Sequence, residues 1–302
     1  MTNNYLDKII KSGISSNSTI VLPEKDSRID KAKIELINMG FNILEVNDFK
    51  INKNEYIHLL SKKKFTKNWS ADHISTYLDN SLNLSMAASL AGHVDCVVAG
   101  AKTQTGDVIR SAIRIIGMKI NTKWISSIFF MINKKNNHVM TFSDCGVIPE
   151  PNSEQLAFIG TEAALFHQKL SGEKPIVAFL SFSTNGSANH YKVERIRKAV
   201  SIFGKKNLGI EHDGEMQFDS AFDSMVRARK FPNSKLNKDA NTFIFPDLDS
   251  GNIAYKITER LAGYQALGPL LVGMKKPVHD LSRGCSVDDI INVAAIAALQ
   301  KD

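Results

Sequence analysis

Short runs rich in β-branched and aromatic residues alternate along the chain with longer amphipathic stretches, a pattern that predicts strands alternating with helices in an α/β protein. Strand-like runs fall at 19–22, 41–46, 94–100, 125–132, 176–182, 242–245 and 267–272. Helical spacing fits 28–39, 70–91, 107–116, 153–170, 190–203, 219–229 and 252–266. No internal repeat, low-complexity segment or compositional linker is visible, so the pattern alone does not locate a domain boundary.

Composition narrows the picture. A chain of 302 residues, 43% hydrophobic and 23% charged, has the make-up of a soluble globular protein of one large or two ordinary domains. Cys96, Cys145 and Cys285 show no paired spacing, which argues against a disulfide framework or a structural zinc site and for a reducing compartment. The opening residues Met1 to Lys8 lack a secretory pattern, and no apolar run reaches the length of a bilayer, so the expectation is a cytoplasmic protein with no membrane contact. The net charge is +7, but the only basic cluster is Lys62, Lys63, Lys64 and Lys67; the other cations are scattered. That distribution argues against a nucleic-acid partner and suits steering of a small polyanion.

The densest chemistry lies between Pro277 and Ile290, immediately before a strongly apolar segment that runs to Leu299. Ser286 stands where a helix N-cap belongs, and Asp289 three positions later completes a capping-box pattern. Exposed amides at such a helix start attract anions, and Arg283 adds a planar fork of donors that matches a phosphate or oxyanion. Read from the residues alone, Asp289 is more simply the acid of a capping box than a base, Arg283 an ion-pair partner and Ser282 a turn hydroxyl. Cys285 has no histidine to activate it, and His279 reads as a structural hydrogen-bonding group.

Several ordered blocks together carry a resemblance. They are Leu281 to Asp289, Asp213-Gly214-Glu215-Met216-Gln217-Phe218-Asp219, the run from Phe245 to Lys256, Leu180 to Ser187, and the threonine-rich run from Gly100 to Arg110. From about Lys64 to the C-terminus the chain resembles the phosphate acetyltransferases, or phosphotransacetylases. The resemblance implies two α/β domains with an interdomain cleft, similar to the isocitrate and isopropylmalate dehydrogenase architecture. Mapped onto this chain, residues 1–123 with 276–302 form one domain and 124–275 the other, with the active site in the cleft. Asp213 to Glu215 and Asp247 to Asp249 are then read as structural turns lining that cleft.

The implied reaction is reversible acetyl transfer between coenzyme A and inorganic phosphate, with coenzyme A as substrate and no cofactor or metal. Partners are acetyl-CoA, phosphate and acetyl phosphate, and the family implies a homodimer. A thiol of pKa ~8.5 must lose its proton to attack acetyl phosphate. By resemblance Asp289 is the base, Arg283 stabilises the oxyanion and Ser282 donates a hydrogen bond near the reacting carbonyl. Arg110, Lys64, Thr103, Thr105, Ser183 and Gly186 are implied phosphate or coenzyme A contacts. The chain departs from the family pattern at Lys64, which stands where the family usually places arginine and lacks its bidentate fork, and at Asn68, which fills a glycine position and is expected to tolerate a left-handed backbone. Alternatives are a phosphate butyryltransferase or other short-chain specificity, and a non-catalytic acetyl-CoA-sensing module. Intact Ser282, Arg283 and Asp289 argue against the sensor.

Overall fold

Buried Tyr5, Leu6, Ile9 and Gly13 recur at helical spacing in α1 (Tyr5–Ser15), an element the sequence pattern did not single out. The computed structural model describes residues 5–120, 122–133, 135 and 137–301. Its first unit comprises Met1–Ile125 and Gly268–Asp302, and its second Ser126–Leu267.

In the first unit β1 (Thr19–Val21), α2 (Ser27–Met39) and β2 (Asn42–Leu44) form a parallel β-α-β step. Helices α3 (Lys53–Ser61), α4 (Ala71–Tyr77) and α5 (Ser81–Ala91) lead to β3 (Cys96–Ala99). The predicted helix 70–91 is therefore two helices, broken because Asn80 turns outward and its side chain accepts from the Leu82 and Asn83 amides. After β3 comes α6 (Thr105–Ser111), which runs into a π-helical turn over Ala112–Ile116 and stops at Gly117, φ 86°.

The second unit opens with the antiparallel pair β4 (Ser126–Asn133) and β5 (His138–Ser143). The chain continues through α7 (Ser153–Ser171), β6 (Ile176–Leu180), α8 (Tyr191–Gly204) and β7 (Glu211–Met216). Short α9 (Phe218–Phe222) and α10 (Ser224–Lys230) replace the single predicted helix 219–229, because Asp223 caps a new start. β8 (Thr242–Ile244) and α11 (Leu248–Ala262) follow. The predicted helix 252–266 starts too late and ends too late: Asp247 caps it at Leu248, and Gly263 at φ 69° ends it. Strand order here is β4-β5-β8-β6-β7, with β8 parallel to both β5 and β6 and β7 parallel to β6. Its core gathers Phe129, Met131, Met140, Phe142, Phe243 and Phe245.

Through β9 (Gln265–Val272) the chain re-enters the first unit, where β10 (Val278–Asp280) and α12 (Val287–Leu299) complete it. Strand order in this unit is β2-β1-β3-β10-β9, with β10 parallel to β3 and antiparallel to β9. Ile290 to Ala298 of α12 are buried, packed against α1, α2, β1 and β3. Gly13 lets α1 approach closely: a Cβ there would lie 2.9 Å from the Ala295 carbonyl oxygen.

Two further expectations change. Asp213, Gly214 and Glu215 lie inside strand β7 rather than in a turn, and Asp247 is the N-cap of α11. Asn68 is not left-handed; among the described residues positive φ outside glycine falls at Asn17, Asn137, Asn185 and Asn207.

Candidate functional site

The apolar run of α12 sets the start of the site, because its burial fixes where the helix must begin. Ser286 is the N-cap, and the box is closed from both sides: the Asp289 amide donates to Ser286 Oγ at 3.2 Å, while the Ser286 amide and hydroxyl donate to Asp289 Oδ2 at 3.0 and 2.8 Å. The preceding loop exposes Ser282 and Arg283. The Gly284 amide donates to Ser282 Oγ at 3.3 Å, and the Cys285 amide closes a turn onto the Ser282 carbonyl at 2.9 Å. Arg283 is exposed, and its guanidinium has no hydrogen-bond or ion-pair partner among the described residues.

Cys285 itself is buried, and burial pushes its thiol up, as expected of a packing residue rather than a nucleophile. His279, fully enclosed, accepts from the Leu271 amide at 3.1 Å, and burial lowers it to about 3, which keeps it neutral and structural.

Thr103 lies in the loop between β3 and α6, Thr105 opens α6 and Arg110 lies one and a half turns further on. Thr103 and Arg110 line one cavity of about 250 Å³ with Tyr77, Asn80, Asp107 and Arg114. Asp107 pairs with Arg110 one turn away. Arg114 adds a second guanidinium to this cavity, a residue the sequence reading missed although it stands four positions after Arg110 on the same helical face. Lys64 starts a 3-10 turn, Lys64–Thr66, with an exposed side chain and does not line that cavity.

Three carboxylates and a guanidinium missed in sequence hold these loops. Thr105 Oγ1 donates to Asp280 Oδ2 at 2.6 Å. Glu24 accepts from the amides of Gly100, Ala101, Lys102 and Thr103 at 2.7–3.1 Å. Arg28 donates to the carbonyls of Ala101, Arg283 and Cys285, and Asp26 holds its guanidinium from the other edge at 3.0 Å. That bond to Arg28 draws the Asp26 carboxyl down to about 2. The available signal was position: Glu24, Asp26 and Arg28 follow the C-terminal end of β1, where open α/β folds place ligand chemistry.

In the second unit Ser183 and Gly186 lie in the loop between β6 and α8. Ser183 Oγ donates to Glu215 Oε1 at 3.0 Å and the Gly186 amide donates to the same oxygen at 2.8 Å. Arg197 donates to both Glu215 oxygens at 2.7 and 3.1 Å. Burial works to raise the Glu215 carboxyl, but Arg197, the Gly186 amide and Ser183 together hold it below the usual range. No group of three or more His, Cys, Asp or Glu side chains suited to a metal occurs among the described residues, and no described helix is long and apolar enough to cross a membrane.

The arrangement sets a hydroxyl, a guanidinium and a carboxylate at one helix start, a combination suited to an anion. The phosphate acetyl/butaryl transferase family profile matches residues 5–298. A phosphate acetyltransferase of Clostridium acetobutylicum is 37% identical, with 97% of this chain and 89% of the relative covered. One of Paracoccus denitrificans is 47% identical over 213 residues, 69% of this chain and 67% of the relative. Among solved structures, a phosphotransacetylase from Streptococcus pyogenes superimposes with a TM-score of 0.89 at 31% identity, covering 98% of each chain.

Proposed function

Because the chain belongs to the phosphate acetyl/butaryl transferase family and is an acyltransferase, we propose that it moves an acetyl group reversibly between coenzyme A and inorganic phosphate. The observation that carries this proposal is the Ser282 to Asp289 segment, where a hydroxyl, an exposed guanidinium and a helix-start carboxylate occur within eight residues.

In the direction of acetyl-CoA synthesis, the thiol of coenzyme A gives its proton to Asp289 and the thiolate attacks the acetyl carbonyl of acetyl phosphate. A C–S bond forms, negative charge collects on the carbonyl oxygen, and the bond to phosphate breaks to release inorganic phosphate. Arg283 faces the developing oxyanion and Ser282 donates beside it. Thr103 and Arg110 contact phosphate through the cavity they share, with Thr105 setting the start of α6. Exposed Lys64 contributes a point charge toward coenzyme A. Ser183 and Gly186 enter as parts of a substrate-facing loop whose shape Glu215 and Arg197 fix.

A cytoplasmic homodimer belongs to the same proposal. Supporting the dimer, α11 exposes Ile253, Ile257 and Leu261 at intervals of four, an apolar stripe that a second copy would cover. Sedimentation velocity of the wild type and an Ile257→Lys variant reads it, the variant shifting to monomer.

The activity is tested by thiol release from acetyl-CoA, propionyl-CoA and butyryl-CoA with and without phosphate. Phosphate-dependent release that is fastest with acetyl-CoA supports the proposal. Binding of acetyl-CoA without release would make the chain a sensor, and fastest release from butyryl-CoA would move it to the butyryl branch.

A further inference from the structure

The segment after β1 and the first turn of α2 together reach both loops that carry the first unit's candidate chemistry, and they do so through the loops' backbones. The Glu24 carboxylate gathers four consecutive amides: Oε2 takes Gly100 and Ala101 at 2.9 and 2.8 Å, and Oε1 takes Lys102 and Thr103 at 3.1 and 2.7 Å. Four converging amides make a concavity that binds an anion, and here the protein supplies that anion itself. Four residues on, Arg28 sends Nη2 to the Ala101 carbonyl at 3.1 Å and Nη1 to the carbonyls of Arg283 and Cys285, both at 2.9 Å. Ala101 is thus held at its amide by Glu24 and at its carbonyl by Arg28. Asp26 caps α2 through the Arg28 amide and grips the guanidinium with both oxygens, so the fork cannot swing away.

Resting on the acyl-transfer reading above, we infer that Glu24 and Arg28 are positioning residues that tie the β3–α6 loop to the β10–α12 loop, fixing Thr103, Ser282 and Arg283 against the transferring group. Neither side chain donates to substrate: their polar atoms are committed to the protein's own backbone and to the Asp26 carboxylate. The geometry asks for a planar fork at position 28, since three carbonyls on two loops are met from one end group. A lysine keeps the charge and cannot span them.

The test uses the full chain and phosphate-dependent thiol release from acetyl-CoA, with wild type, Arg28→Lys, Arg28→Ala and Glu24→Gln, each also melted. Wild type turns over. Arg28→Lys is expected to melt cooperatively and to lose on the order of 10²-fold in kcat, the cost of an ångström-scale misplacement of reacting groups. KM for phosphate rises more than KM for acetyl-CoA, because the loop that presents Thr103 to phosphate is set loose along with Arg283, and added guanidinium ion restores part of the Arg28→Ala turnover. Glu24→Gln loses acceptors for two of the four amides and shows the same split in KM; it carries the test if the Arg28 variants fail to fold. Turnover of Arg28→Lys and Glu24→Gln within about twofold of wild type overturns the inference. So does a loss without a KM split or guanidinium rescue, which marks a merely structural role. A wild type without phosphate-dependent release removes the acyl-transfer reading itself, and this inference with it.

Discussion

Thr105 donates its hydroxyl hydrogen to Asp280 Oδ2 across 2.6 Å, joining the first turn of α6 to the end of β10. The other oxygen, Asp280 Oδ1, is buried with no hydrogen-bond partner among the described residues. Burial, with a smaller push from Glu24, raises this carboxyl to about 7 against the opposing hydroxyl of Thr105.

A pH dependence of stability follows, and its sign is fixed. The folded-state value lies above the unfolded one, so the native state holds the extra proton. Stability from this group is complete below about pH 4, falls as pH rises to about 7, and is then flat, with a slope of at most about 1.4 kcal/mol per pH unit for one proton. Urea unfolding across that range, for wild type and Asp280→Asn, is expected to show the wild-type decline reduced in the variant. Equal slopes would place the titration elsewhere.

Asp280 also explains Gly100, which sits at φ 114°. A Cβ there would lie 2.2 Å from Asp280 Oδ1 and 2.6 Å from the Leu281 amide nitrogen. Gly100→Ala therefore meets both an unfavourable backbone and a clash, and is expected to cost on the order of 3 kcal/mol. A melting curve within a degree or so of wild type would contradict it.

Asp289→Asn separates the carboxylate's two roles. The amide oxygen can still accept from the Ser286 backbone, so stability should stay within about 1 kcal/mol of wild type, whereas thiol release should fall by ~10²–10⁴-fold. Near-wild-type turnover would remove Asp289 as the base.

Ser286→Ala addresses the helix start itself. It removes the acceptor for the Asp289 amide and a donor to Asp289 Oδ2, and is expected to lower stability by about 1 kcal/mol in chemical unfolding. With Asp289 less firmly aimed, kcat should drop alongside; an unchanged kcat would show that the cap does not orient it.

Arg197→Met leaves the buried Glu215 carboxylate with the Ser183 hydroxyl and the Gly186 amide but no cation. A loss on the order of 2 kcal/mol is expected near neutral pH. Because Glu215 is held below its ordinary range, its contribution is present above the unfolded value and disappears as pH falls through the folded one. Wild type and variant should therefore converge toward acid pH in parallel denaturation curves.

What the sequence disclosed follows from how each residue does its work. Apolar runs such as β4 and β6, and the long α7, declare themselves through buried side chains. β7, Glu-His-Asp-Gly-Glu-Met, does not: Asp213 accepts from Ser234 and the Lys235 amide, and Glu215 serves the β6–α8 loop, so its polarity hides a strand held by pairing with β6. β10 has three residues, too few for any periodicity. At the site, Ser286 and Asp289 announce a helix start because their partners are three positions apart in the chain. Glu24 and Arg28 act on amides and carbonyls 73 to 257 positions away, and no local pattern records a bond to a distant backbone.

An interior strand of the first unit's sheet has a temporal consequence. β10 fills the place between β3 and β9, and α12 covers α1 and α2, yet both are translated only after the whole of Ser126–Leu267. On the ribosome the growing polypeptide thus carries an open edge on β3 and uncovered apolar helix flanks while the intervening segment emerges, so the half begun first is finished last and is the one that chaperones would shelter.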